Sequence, residues 1–109
     1  MKIKLIRHIN QDKQNRIEVL FQGFPYIDGN ELIAKYMEEN LNVKMTERVD
    51  ELYYSVMRLQ RENIEYILVW HEDVGNYGYC VPSTEDNLSQ FEDDLTKTFE
   101  AIYSSKQNG

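Results

Sequence analysis

The segment that most restricts the fold is residues 64–72, IEYILVWHE, which is rich in β-branched and aromatic side chains. Such residues favour strands, and apolar side chains occur on both faces of this strand because successive residues point to opposite sides. A strand that is apolar on both faces is typical of a sheet interior. The segment therefore predicts a central strand. The turn-forming residues 73–76, DVGN, predict that residues 77–81 return as the second arm of a hairpin.

A second hairpin is predicted at the amino terminus. In residues 1–9, Ile3 and Leu5 alternate with Lys2 and Lys4, as expected for a strand with one solvated face. The polar run 10–15 interrupts this pattern, and alternation resumes over residues 16–24. Two alternating segments separated by a polar loop predict an antiparallel hairpin.

Three helices are predicted from caps and apolar spacing. The first follows Asp28 or Asn30, the second begins at Thr46, and the third follows Ser83 or Thr84. The second has apolar residues at i, i+3, i+4, i+7 and i+8, the spacing of one helix face. In chain order, the three apolar stripes are Leu32, Ile33, Tyr36, Met37 and Leu41; Val49, Leu52, Tyr53, Val56 and Met57; and Leu88, Phe91, Leu95, Phe99 and Ile102.

The resulting order is strand, strand, helix, helix, strand, strand, helix. It predicts an α+β fold, in which helices pack on an antiparallel sheet of about four strands. The 109 residues are enough for one domain, residues 1–109, with a frayed tail over 104–109. Cys80 is the single cysteine, so neither an internal disulfide nor a cysteine-based zinc site is expected.

The net charge of −7 is unevenly distributed. Residues 1–22 hold five Lys/Arg against two Asp/Glu, which leaves −10 for the rest of the chain. Such a surface repels phosphate backbones and favours a basic partner, although solubility alone would also explain it. We therefore expect no direct nucleic-acid binding. No apolar run is long enough for a membrane span or a signal peptide, so no membrane insertion is expected. The single cysteine indicates a reducing compartment, and we expect the cytoplasm.

Candidate catalytic residues are few. The glycines match neither the dinucleotide fingerprint nor the P-loop. His71, Glu72 and Asp73 resemble a metal cluster, but consecutive strand residues cannot converge, and a strand running into a turn is the preferred interpretation. His71 and Cys80 could pair across the hairpin, which would suit a nucleophilic enzyme. We instead predict no enzyme activity, no cofactor and no metal.

Two groups of residues are candidates for partner binding. Glu92, Asp93 and Asp94 form the densest carboxylate cluster, which either mimics phosphate for a basic cleft or is only a hydrated helix face. Tyr77 and Tyr79 lie in one short strand, where they either anchor an interface or fill a small core.

The chain resembles the immunity proteins of bacterial contact-dependent growth inhibition and related polymorphic toxin systems. The resemblance lies in the character of the whole chain, a short acidic α+β domain with a tyrosine-rich hairpin and scattered carboxylates. It also lies in residues 63–81, NIEYILVWHEDVGNYGYCV. It implies a cytoplasmic protein that binds a cognate toxin domain, often a nuclease with a basic cleft, and blocks its active site. The alternative is a regulatory or adaptor domain that homodimerises through a sheet edge or an exposed aromatic face. Under the resemblance, the residues expected to face the toxin are Glu72, Asp73, Tyr77, Tyr79, Glu92, Asp93 and Asp94.

Overall fold

The computed structural model describes residues 3–24 and 29–108, with side chains up to residue 103. Asp28, one of the two predicted caps of the first helix, therefore lies outside the described residues. The short 3-10 turn Gln11–Lys13 joins the first two strands. The elements in chain order are β1 (Lys4–Asn10), β2 (Arg16–Gln22), α1 (Gly29–Asn40), β3 (Lys44–Asp50), β4 (Tyr54–Arg61), β5 (Ile64–His71), β6 (Gly75–Val81) and α2 (Glu85–Asn108).

All six strands form one antiparallel sheet in the order β1-β2-β6-β5-β4-β3. Strands β3 to β6 are a meander in which each strand pairs with the next, and the β1–β2 hairpin is added through β2 to β6. The predicted hairpins at the amino terminus and at β5–β6 are confirmed. Strand β5 is interior, as its two apolar faces predicted, because β4 and β6 flank it.

The prediction of about four strands and three helices is wrong, although the α+β class and the antiparallel sheet are correct. The segment predicted as the second helix forms the β3–β4 hairpin. Leu52 and Tyr53, two members of its apparent helical stripe, lie in the turn and are 79% and 58% exposed. The Glu51 N–H donates to the Tyr54 carbonyl at 2.8 Å and closes this turn.

Both helices pack on one face of the sheet. On β5, Tyr66 and Leu68 point towards the helices, whereas Ile67 and Val69 lie on the opposite face. We call that opposite face the open face, because none of the described elements packs over it. The buried cluster between sheet and helices includes Val19, Phe21, Ile33, Met37, Met57, Leu59, Tyr66, Leu68, Cys80, Leu88, Phe91, Leu95 and Phe99.

Helix α2 begins as predicted but extends further. The Thr84 Oγ1 accepts a hydrogen bond from the Asn87 N–H at 3.2 Å, which satisfies one of the free donors of the first turn. The backbone stays helical to Asn108, where the sequence predicted a frayed tail from residue 104. Neither this helix nor any other within residues 3–24 and 29–108 combines the length and apolar character needed to cross a membrane.

Candidate functional site

The seven residues predicted to face a partner do not form one surface. Tyr77 and Tyr79 lie on the open face, because they alternate with the helix-facing residues Gly78 and Cys80 of β6. Glu92, Asp93 and Asp94 belong to α2, on the other side of the sheet. Glu72 and Asp73 lie in the β5–β6 turn. A single flat interface therefore cannot include both the tyrosines and the acidic helix.

Most of the predicted acidic cluster is neutralised within the protein. Arg7 of β1 forms ion pairs with Glu85 and Glu92 of α2, each at 2.7 Å, and so fastens an edge strand to the helix layer. Its hydrogen bonds hold the pKa of the Glu85 carboxyl below its usual range. The stabilisation from this pairing is therefore present at neutral pH and is lost as the pH falls through the lowered pKa.

Asp94 is not available to a partner, because its side chain is fully buried. The Arg61 Nε donates to Asp94 Oδ2 at 2.7 Å, and the Tyr66 hydroxyl donates to the same oxygen at 2.7 Å. Burial and the Asp94 hydrogen bond raise the pKa of Tyr66, so its hydroxyl stays protonated and remains a donor. Asp94 is therefore part of the core and not of the surface that was predicted to face a partner.

Three exposed carboxylates on α2 lack an ion pair in the described part of the chain: Asp86, Asp93 and Glu100. Their seven-residue spacing places them about 10 Å apart along one side of the helix. Glu100 was not singled out from the sequence, although its heptad spacing from Asp93 was visible there. The two helices together carry −6 of the net charge of −7.

Cys80 and His71 do not form a catalytic pair. Cys80 points into the core and is 1% exposed, whereas His71 pairs with Gly75 at the far end of the strands and lies on the open face. His71 Nδ1 accepts the Asp73 N–H at 3.1 Å, which is the predicted turn at the end of a strand. Across the described residues, no group of three or more His, Cys, Asp or Glu is placed to hold a metal ion.

The Cys80 thiol is expected to be unreactive in the folded protein. Burial raises its pKa to about 11, so at about pH 8 only about one thiol in a thousand is ionised, and that thiol is covered. Ellman's reagent should therefore release no thionitrobenzoate from the native chain and one equivalent after denaturation. Rapid stoichiometric release from the native chain would contradict this burial.

An apolar row crosses the open face from one sheet edge to the other. Its members are cross-strand neighbours in the sheet register, one from each strand. A solvated sheet face normally carries polar residues at such positions. We call this set the apolar row; it consists of Ile6, Leu20, Tyr77, Val69, Val56 and Val49.

The charged residues beside the apolar row are paired with one another. Arg58 contacts Glu65 at 3.0 Å and Glu47 at 3.7 Å, and Arg16 contacts Glu18 at 2.6 Å. The ion pairs beside the apolar row therefore sum to only −1, whereas the two helices together carry −6.

At the β1–β2 end of the apolar row lies a hollow of about 210 Å³. Its floor and walls include Leu20 and Tyr77, and the turn residue Val74 borders it. Glu18, which is only 4% exposed, also lines it. This hollow, which we call the Glu18 hollow, is lined by His8, Asn10, Glu18, Leu20, Val74 and Tyr77.

Comparisons with protein-family models, with curated proteins and with solved structures found no match to this chain. Its function is therefore inferred from the geometry of the chain itself.

Proposed function

We propose that this chain is a non-catalytic binding protein that recognises a partner protein through the open face of its sheet. The observation that carries the proposal is the apolar row. Val69 is buried at the centre of the row, but the other five residues keep accessible apolar surface. A face that only contacts water would carry polar residues there, and an extended apolar surface with a polar rim is typical of a protein interface. Tyr77 lies within this row, and aromatic residues are enriched among the residues that dominate binding energy.

The negative charge has a different role in this proposal. Because the helices carry most of it, the charge need not contact the partner, but it attracts a basic protein from a distance and raises the association rate. The apolar row then supplies most of the affinity. This division predicts that added salt slows association more than it speeds dissociation.

For the identity of the partner, we propose a cognate bacterial toxin domain. The resemblance to immunity proteins of polymorphic toxin systems supports this choice, as does the acidic character of the chain. In this proposal the protein acts in the cytoplasm and covers the active site of the toxin. A nuclease with a basic cleft is the toxin class that its charge suits best.

The test compares two variants in calorimetric titrations against the toxin domain encoded beside this chain. Leu20→Lys with Val56→Lys places charges in the apolar row and is expected to weaken binding about 100-fold. The comparison variant combines Asp86→Asn, Asp93→Asn and Glu100→Gln, and it should change affinity less than about threefold. Urea unfolding of both variants verifies that they are folded.

The opposite ranking, with loss of binding only in the helix variant, would contradict the open face as the binding surface. A genome without a neighbouring toxin gene would contradict the immunity assignment. The alternative is a self-associating adaptor that dimerises through a sheet edge or through the open face, and analytical ultracentrifugation of the chain alone separates it from the toxin-binding proposal. A concentration-dependent dimer abolished by Leu20→Lys with Val56→Lys would support the adaptor.

A further inference from the structure

The open face already holds one guanidinium group in a defined way. Arg16 donates to Glu18 Oε2 from Nε at 3.0 Å and from Nη2 at 2.6 Å. The same guanidinium lies over the Tyr79 ring, with its carbon 3.9 Å from the ring centroid. A planar cation thus contacts a tyrosine face while its edge donates to a carboxylate, which is the geometry that suits arginine.

The two carboxylate oxygens of Glu18 differ in the hydrogen bonds that they accept. The Asn10 Nδ2 also donates to Oε2, at 3.2 Å, so all three side-chain donors that reach Glu18 in the described part of the chain converge on one oxygen. Oε1 receives none of them. Because Glu18 lines the hollow, a cationic donor that enters it can reach Oε1, and hydrogen bonds between a cation and a carboxylate are about twice as strong as neutral ones.

Tyr77 gives the Glu18 hollow an aromatic wall. It lies two residues before Tyr79 on the same face of β6, and it lines the hollow together with Glu18. Burial raises the pKa of Tyr77, and the Glu18 charge raises it further, which agrees with a phenol close to the carboxylate. The hollow therefore contains the same two kinds of group that hold Arg16, a tyrosine ring and a Glu18 carboxylate oxygen.

We propose that the Glu18 hollow binds the guanidinium group of an arginine side chain on the partner protein, against the Tyr77 ring and Glu18 Oε1. This inference rests on the proposed function, because the arginine comes from the protein that docks on the open face. The hollow of about 210 Å³ suits one side chain, and it is below the range of about 300 to 1,000 Å³ typical of small-molecule sites. A basic partner is also the kind that the net charge of −7 attracts.

The chemistry favours a guanidinium over an ammonium group. A guanidinium is more weakly hydrated, stacks on an aromatic face and can donate in the plane of the carboxylate, whereas an ammonium group is a strongly hydrated point charge. Glu18 would then bridge two guanidinium groups, one from Arg16 and one from the partner. Hydrogen bonds to both oxygens would offset the repulsion between the two cations.

The experiment uses small probes, so it does not depend on identifying the partner. The full ¹⁵N-labelled chain is titrated with N-acetyl-arginine amide, N-acetyl-lysine amide and N-acetyl-citrulline amide, the last being an uncharged analogue of nearly the same shape. The arginine probe is expected to shift the amide signals of Asn10, Leu20 and Tyr77 saturably, with a dissociation constant on the order of millimolar. The citrulline probe should bind about tenfold more weakly.

Two variants assign the contacts. Glu18→Gln is expected to weaken arginine binding about tenfold. Because this substitution also alters the Arg16 pair, Tyr77→Leu provides a second variant that keeps apolar bulk but removes the ring. Its matched control is Tyr54→Leu, a tyrosine on the same face, on β4, outside the hollow. Tyr77→Leu should weaken arginine binding severalfold, and Tyr54→Leu should not change it.

The outcomes separate this inference from the proposed function. Equal binding of the arginine and citrulline probes, or shifts confined to α2, would overturn the guanidinium site. Lysine binding as tightly as arginine would overturn the preference for a planar cation. The proposed function fails independently, if the partner binds Leu20→Lys with Val56→Lys as tightly as it binds the unmodified chain.

Discussion

Replacing Asp94 with alanine is expected to lower the free energy of unfolding by about 3 kcal/mol, the lower end of the range found when one partner of a buried ion pair is removed, because the remaining Arg61 side chain is 21% exposed. The carboxylate is fully buried and accepts from Arg61 and Tyr66, both at 2.7 Å. Without it, a guanidinium and a phenol would remain beneath α2 with no carboxylate to accept from them. Urea unfolding, followed by the fluorescence of the single tryptophan, measures the loss.

The neighbouring residue supplies a matched control. Asp93 is exposed and forms no ion pair in the described part of the chain, so Asp93→Ala should change stability by less than about 0.5 kcal/mol. Each of the two variants removes one aspartate side chain, from adjacent positions of the same helix. Equal destabilisation by both would contradict the buried pair. Arg61→Met with Asp94→Leu leaves no uncompensated charge and should be more stable than Asp94→Ala.

The elements that the sequence predicted correctly are those whose apolar residues have a spacing that fits only one kind of secondary structure. Residues 64–72 are too short and too rich in β-branched side chains for a helix, and α2 has a cap followed by more than three turns of regular apolar spacing. Residues 46–57 fit two patterns. Val49, Val56 and Met57 suit one face of a helix, but they also suit two strands joined by a turn.

The spacing of the apolar residues alone could not decide between a helix and a hairpin. Thr46, Val49, Tyr54 and Val56 have side chains that favour strands over helices, which was the available signal for a hairpin. The pairing of β4 with β5 completes the choice, because it places Met57 and Leu59 beside the helix-facing apolar residues of β5. That pairing is a tertiary one, and no local window of sequence contains it.

The candidate site was only partly predictable for a related reason. Tyr77 was singled out from the sequence as an interface residue and lies in the apolar row. Glu18 was overlooked, because its burial depends on Asn10 of β1 and on the neighbouring strand β6 as well as on Arg16 of its own strand. Asp94 lies three residues after Phe91, on the inward side of α2, so helical spacing indicated its burial, but its partner Arg61 comes from a distant strand.

Gly78→Ala is expected to destabilise the fold by about 3 kcal/mol, near the upper end for an overpacked core position. A Cβ at this position would lie 2.8 Å from Phe91 Cζ and 2.9 Å from the Ile67 carbonyl oxygen. The Phe91 ring is fully buried and packs against Tyr66 with centroids 4.6 Å apart, so it cannot turn aside. The carbonyl belongs to the central strand β5, whose ladder holds it in place.

Gly75→Ala separates this steric effect from backbone strain. Gly75 has a φ of +93°, but a Cβ added there would meet no described atom within 4 Å, so alanine costs only the left-handed strain of about 1 to 2 kcal/mol. A double-mutant cycle with Phe91→Leu should show that Gly78→Ala is less costly once the ring is removed. A loss no larger than that of Gly75→Ala would contradict the close packing of α2 on β6. Because Gly78 lies between Tyr77 and Tyr79, Gly78→Ala should also displace their amide signals on the open face.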